Sequence, residues 1–233
     1  MSIFGVPTLP NADEGYENGT TEPAHVPADA NEGDLIVVFL SVNNPDATDL
    51  SVYDTSGNSY TILGGPNYTF QVEDLTYSIR IAYARANATG LISYVYGTWN
   101  DNGGPAYVRF MCVFVIPISG GTPVLDTMIA PNYTGSTPTK TSEFNTTGDD
   151  EIVLLGVFDA DHNFGSWTVD SPYTIPSANP GFYGTMAYNT YSSPQSGLQV
   201  EFDDEDSTNV VYGIAFKAAT PGVGLPLVNV NYF

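Results

Sequence analysis

Apolar positions in this chain fall into short runs, each opened by a turn. Residues 33–42, Gly-Asp-Leu-Ile-Val-Val-Phe-Leu-Ser-Val, start on Gly then Asp and continue as an unbroken stretch rich in Val, Ile and Phe. A run of that length and composition predicts a strand buried on both faces. Residues 148–157, Gly-Asp-Asp-Glu-Ile-Val-Leu-Leu-Gly-Val, echo it. The echo continues beyond the run. Ser51-Val52-Tyr53-Asp54 leading to Tyr60-Thr61-Ile62 returns as Trp167-Thr168-Val169-Asp170 leading to Tyr173-Thr174-Ile175. Ile81-Ala82-Tyr83 returns as Met186-Ala187-Tyr188, and 109–116 returns as 210–216. The pattern is one supersecondary unit written twice.

The first copy predicts strands near 35–42, 50–54 with 59–63, 76–86, 91–99 and 107–118. The second predicts them near 151–158, 166–170 with 173–175, 182–191, 197–202 and 209–217. Tyr77, Ile79, Ile81 and Tyr83 alternate with Ser78, Arg80 and Ala82, the pattern of an antiparallel strand with one covered face. Tyr94 and Tyr96 flank Val95 in the same way. No window carries the i, i+3, i+4, i+7 spacing of an amphipathic helix. The second copy is short for a disulfide-free β-domain of its own. The expected fold is therefore all-β: a two-sheet antiparallel β-sandwich of jelly-roll type, built from a duplicated five-strand unit.

The domain plan follows from the same pattern. Residues 1–32, with Pro7, Pro10, Pro23 and Pro27 and no sustained period, read as an extended N-terminal arm. Its apolar residues Ile3, Phe4, Val6 and Leu9 favour docking on a surface. Residues 33–219 form the sandwich, as copy one (33–118), a bridge (119–147) and copy two (148–219). Residues 220–233 turn on Pro221-Gly222-Val223-Gly224 and end in a strand-like arm bearing Leu227, Val228, Val230, Tyr232 and Phe233, suited to pairing with an open sheet edge.

Charge narrows the function classes. There are 26 acidic residues against 5 basic ones, a net charge of −21. A surface so negative repels phosphate backbones and anionic lipid heads, so neither a nucleic acid nor a membrane is an expected partner. With 2 lysines (Lys140 and Lys217), the sheet edges lack the usual lysine protection and call for cover by loops, by the arms or by other subunits. Self-association is the expectation. Cys112 is the sole cysteine, inside Phe110-Met111-Cys112-Val113-Phe114, and reads as a small buried hydrophobe. The start, Met-Ser-Ile-Phe-Gly-Val-Pro, lacks the charged head and long apolar core of a secretory signal, so export by such a signal is not expected.

Candidate chemistry is sparse. His25 sits in the arm, and His162 lies in Asp159-Ala160-Asp161-His162-Asn163 with no zinc-ligand spacing. Neither supports a nucleophile–base pair. In Glu201-Phe202-Asp203-Asp204-Glu205-Asp206, the carboxylates Glu201, Asp203 and Glu205 share one face of a strand. That spacing resembles the catalytic strand of jelly-roll glycoside hydrolases of the laminarinase and lichenase type, where it implies a nucleophile and an acid. Asp204 stands where that family has an apolar residue, and a solvated hairpin is the favoured reading. Calcium is the single cofactor alternative, on Asp203 and Glu205 with Asp101 and Asn102 from the matching turn.

Three segments resemble a loosely defined group of β-sandwich proteins of tailed-phage virions and bacterial surfaces. They are Gly33-Asp34-Leu35-Ile36-Val37-Val38, Val52-Tyr53-Asp54-Thr55-Ser56-Gly57-Asn58-Ser59-Tyr60-Thr61 and Ala82-Tyr83-Ala84-Arg85-Ala86-Asn87. Gly213-Ile214-Ala215-Phe216-Lys217 is similar to that group's last strand. The resemblance spans 33–219 and implies a non-catalytic module displayed outside a particle or cell.

The functional expectation is a non-enzymatic bacteriophage virion protein. Its most specific form is a capsid decoration (cement) protein on the outer surface, with a head fibre or tail accessory component next. Its partners would be a major capsid protein and copies of itself, reached through the arm residues named above. The alternatives are a carbohydrate-binding module or adhesin using Trp99, Trp167 and Tyr96 at a cell surface, an extracellular filament subunit, and a glycosidase using Glu201 and Glu205.

Overall fold

The structure is a computed structural model that describes residues 2–8, 12–15, 24–43, 48–63, 69–72, 75–88, 90–100, 109–134, 138–159, 167–176, 184–203 and 209–219. The described residues contain strands and no helix. In chain order the strands are β1 (Ala12–Gly15), β2 (Ala24–Ala30), β3 (Leu35–Asn43), β4 (Thr48–Asp54), β5 (Thr61–Leu63), β6 (Thr69–Val72), β7 (Leu75–Arg85) and β8 (Gly90–Asn100). They continue as β9 (Arg109–Ile116), β10 (Pro123–Thr134), β11 (Thr139–Lys140), β12 (Glu151–Asp159), β13 (Thr168–Val169), β14 (Gly184–Tyr191), β15 (Glu201–Asp203) and β16 (Asn209–Ala218).

All strand pairs are antiparallel, and the strands form four sheets where two were expected. A first inner sheet runs β1-β9-β3-β7-β5, with β6 also on β7. A second inner sheet runs β10-β16-β12-β14. Each has an outer sheet over it, β2-β8-β4 on the first and β11-β15-β13 on the second. The result is a sandwich-like stack of layers.

Alternation along the inner strands divides the core. Leu35, Val37 and Phe39 face the centre with Phe110, Cys112, Phe114 and Ile116, against Ile152, Leu154, Phe158, Tyr212, Ile214 and Phe216 of the second inner sheet. Ile36, Val38, Leu40 and Val42 point the other way, to Val26, Leu50, Val52, Ile92 and Val95 of the first outer sheet. Val153, Leu155 and Val157 likewise meet Phe202 of the second outer sheet and Phe144, Trp167 and Val200 from the segments flanking its strands. The continuous apolar runs at 35–42 and 152–158 thus have the physical cause read from them: both faces of each strand are covered.

The same layering corrects β7. Its alternation predicted one covered face, yet Ser78, Arg80 and Ala82 are as buried as Ile79 and Ile81. The polar residues misled because their face is roofed by another sheet rather than by water. Arg80 donates from its guanidinium to the Ile79 carbonyl at 2.7 Å, and burial lowers its pKa.

Two segments without a legible period are also structured. The expected bridge 119–147 contains β10, a full strand on β16 from Pro123↔Ala218 to Thr134↔Asn209, with register shifts at Leu125/Thr127 and Ile129/Asn132. Such bulges erase the period-2 signal, which is why the pattern was missed. Much of the N-terminal arm lies on its own sheets, with β1 on β9 and β2 on β8. Before them, Phe4 bridges Ile118 and Thr8 bridges Val115.

Candidate functional site

The E-x-D-x-E strand is the first place to test chemistry. β15 places Phe202 fully inward and sets Glu201 and Asp203 on the opposite side, as period 2 requires. Glu201 is held by Lys140, its cross-strand partner on β11, at 2.9 Å. That contact raises the lysine's pKa, by hydrogen bond first and by charge second. Asp203 is exposed opposite Thr168 of β13. Glu205, Asp101 and Asn102 lie outside the described residues, as do His162 and the side chain of His25. Among the described residues no group of three or more His, Cys, Asp or Glu side chains is arranged to hold a metal ion.

Two buried carboxylates, Asp54 and Asp34, tie turns together. Asp54 ends β4 and accepts from Ser56 N at 2.8 Å, Asn58 Nδ2 at 2.7 Å and the Tyr60 hydroxyl at 2.9 Å. Burial first, then the Asp54 charge, pushes the Tyr60 phenol well above its ordinary pKa. Asn58 then accepts from Asn87 N at 2.8 Å, linking this turn to the one after β7. Asp34, before β3, accepts from Asn31 N at 2.8 Å and Ile118 N at 3.2 Å.

A denser knot sits where β10, β12 and β16 meet. Glu151 is fully buried, and its Oε1 accepts from Thr147 N at 2.8 Å and from Gly148 N. Its Oε2 is buried with no donor among the described residues. Asp126 of β10 is the neighbouring carboxylate. It accepts from Thr147 N at 2.8 Å and from the Thr147 hydroxyl, and it pairs with Lys217 Nζ at 2.7 Å. Lys217 also donates to the Thr147 hydroxyl at 2.6 Å.

Burial is the main cause that raises the Glu151 pKa, and the Asp126 charge adds to it. For Asp126, burial pushes upward, but hydrogen bonds from Lys217 and Thr147 outweigh it and leave the carboxyl below the usual range. The two carboxyls therefore split, one holding its proton longer and the other losing it earlier. A proton on Glu151 turns its contact with Asp126 from repulsion into a hydrogen bond. Sequence reading did not single out this knot, because Asp126 lay in the bridge and nothing local pairs it with Lys217.

The arm residues are divided between core and surface. Phe4 is buried in the central core and Ile3 packs against it, while Val6 is 71% exposed. Asp150 fastens the segment by accepting from Ile3 N at 2.7 Å and from the Ser2 hydroxyl. Leu9, Leu227, Val228, Val230, Tyr232 and Phe233 lie outside the described residues.

The aromatics are sorted differently from expectation. Trp167 is buried at 7% exposure beneath the second outer sheet, so it offers no exposed ring to a glycan. The side chain of Trp99 is outside the described residues. Tyr96, by contrast, belongs to a group on the solvent face of the first outer sheet, with Tyr53 and Tyr94. The Tyr94-Val95-Tyr96 alternation was the signal for two of the three, and cross-strand pairing supplies the third.

A recess between the inner sheets, lined by Leu63, Ile79, Met128, Ile129, Pro131 and Tyr212, holds about 10 Å³, space for one water rather than a substrate. The architecture defines an all-β, sandwich-like protein whose inner sheets are covered on both faces. Compared with protein-family models, curated proteins and solved structures, the chain matches none.

Proposed function

We propose that the chain is a non-enzymatic structural protein on the outside of a virion. Its most specific form is a capsid decoration (cement) protein, with a head fibre or tail accessory component as the neighbouring form. The observation that carries the reading is how the described side chains are spent. Both faces of the inner sheets are consumed by packing. Asp34, Asp54, Asp126, Asp150 and Glu151 all hold backbone amides or neighbouring strands in place. What remains outside is a strongly acidic, base-poor surface on a tightly tied block, which suits display in solvent over many copies.

Attachment then falls to 220–233 and to the arm at exposed Val6, with Leu9 beyond it in sequence, since Phe4 is spent on the chain's own core. Its partners would be a major capsid protein and further copies of the chain. Many weak contacts at repeated sites convert to firm attachment.

The proposal includes the finer fold reading, a jelly-roll-type five-strand unit written twice. Matched registers support it. Val37 lies opposite Tyr83 and Phe114, and Leu154 lies opposite Tyr188 and Ile214. Thr61 pairs with Tyr83, and Thr174 bridges Tyr188. Asp34 and Glu151 each stand three residues before that position, and each accepts from the backbone N–H three residues upstream of itself.

The test is removal of 220–233 followed by co-sedimentation with the purified particle. Loss of particle binding with an almost unchanged melting temperature is expected. Full retention on the particle overturns the attachment mechanism.

A further inference from the structure

The solvent face of the first outer sheet carries three tyrosines, with Tyr96 in ring contact with each of the other two. Tyr53 of β4 stands directly opposite Tyr96 of β8 in the strand register. Their rings are stacked, with centroids 4.9 Å apart and planes at 18°. Tyr94, two residues along β8 and so on the same face, meets Tyr96 at 5.7 Å with the planes at 46°. Tyr53 is 47% and Tyr94 41% exposed, although the neighbouring Val52 and Val95 are buried. One step along the same face, Ser51 and Thr98 bring their hydroxyls within 2.6 Å of each other. The result is a strip of hydroxyl-tipped rings continued by two further hydroxyls, across two paired strands.

We infer that this strip, Tyr53, Tyr94 and Tyr96 with Ser51 and Thr98, is a binding site for an uncharged glycan. A sugar ring has an apolar C–H face and a hydroxyl rim. Tyrosine answers both needs, with a flat apolar ring and a polar tip. Ser51 and Thr98 add donors and acceptors at the rim of the strip.

Charge selects against the other occupants. The chain carries −21, which repels an anionic polymer. A cation is attracted by that charge, but an aromatic cage sets its rings around one centre, and Tyr53 and Tyr96 are nearly parallel. An uncharged, hydroxyl-rich ligand fits both the geometry and the field. The inference stands apart from the particle reading, because it concerns β4 and β8 and uses no residue of either arm.

Affinity electrophoresis of the full chain tests it, in gels containing laminarin, xylan, galactomannan or dextran, with alginate as the polyanion. A tyrosine-fluorescence titration with tetramethylammonium covers the cation. At least one neutral polysaccharide should retard the chain. Tyr94→Ala and the double change Tyr53→Ala/Tyr94→Ala should each weaken binding at least about tenfold. Tyr53→Phe, which keeps the ring, should stay within about threefold, a difference of well under 1.4 kcal/mol. Circular dichroism establishes that each variant is folded, and Tyr94→Ala serves if the double variant is not, because Tyr94 lies outside the stacked pair. The inference is overturned if no neutral polysaccharide retards the folded protein, or if retardation survives Tyr94→Ala. Binding to alginate or tetramethylammonium alone overturns it too.

Discussion

The hydroxyl of Tyr212 lies 2.8 Å from Oγ of Ser41, fully buried between the two inner sheets. It is a polar contact inside a layer otherwise built from apolar side chains. Burial pushes the Tyr212 phenol well above its ordinary pKa, so the hydroxyl stays protonated. Each partner is the other's means of satisfying a group that water cannot reach.

Removing both partners should therefore cost less than the two single removals added together. Tyr212→Phe and Ser41→Ala should each destabilise by about 1–3 kcal/mol, because each strands a buried hydroxyl. The double variant should lose clearly less than the sum. Urea unfolding of the four proteins measures the coupling. Additive losses would mean that the hydroxyls do not depend on one another.

Gly156 explains how closely the inner sheets approach. A Cβ there would come within 2.7 Å of Phe39 Cδ1, so the ring of β3 rests on the bare backbone of β12. Gly156→Ala should lower stability by about 1–3 kcal/mol through overpacking. Combining it with Phe39→Leu should recover part of the loss, read as a melting temperature above that of Gly156→Ala alone.

The Asp126–Glu151 pair predicts a pH dependence of stability. The Glu151 pKa is raised in the folded chain, mainly by burial, so the folded state binds more protons than the unfolded one at this site. Its contribution is fully present below the ordinary glutamate value of about 4.3 and is lost as pH rises through the higher folded value. Asp126 is shifted the other way, so its contribution fades only as pH falls below the ordinary aspartate range. Glu151→Gln keeps an acceptor for Thr147 and Gly148 and adds a donor for Asp126. Melting curves from pH 4 to 8 should show the variant gaining on the parent chain as pH rises. A constant difference across the range would contradict the shared-proton account.

Phe4 distinguishes a docked segment from a free arm. Buried at 6% exposure in the central core, its loss in Phe4→Ala should cost about 3–5 kcal/mol. Val6→Ala, at an exposed position, should fall within about 0.5 kcal/mol of the parent. Equal and negligible effects would show that the first residues carry nothing for the block.

Much of the fold was legible in order along the chain. The strands β3, β7, β8, β9, β12, β14 and β16 all fall on predicted runs: β3, β9, β12 and β16 as nearly continuous apolar stretches, and β7, β8 and β14 as Tyr-bearing segments that alternate with polar residues. β10 was not legible, since its bulges break the alternation and Pro123 and Pro131 resemble linker residues. The candidate sites were legible only in part. Tyr94 and Tyr96 are placed on one face by flanking Val95, but no local feature says that this face is open to water or that Tyr53 stacks on Tyr96.

Local sequence determined that this chain makes strands and turns, which residues share a face of each strand, and that the surface is acidic. Those properties depend on neighbours one to four positions away. The tertiary structure alone decided which faces are covered: Arg80 and Trp167 inside, Tyr53 and Tyr94 outside, Phe4 in the central core, Asp126 against Glu151 and Lys217. A period of two says that alternate residues part company. It does not say whether water or another sheet meets each set, because that depends on pairings between segments as far apart as Phe4 and Ile118 or Ser41 and Tyr212.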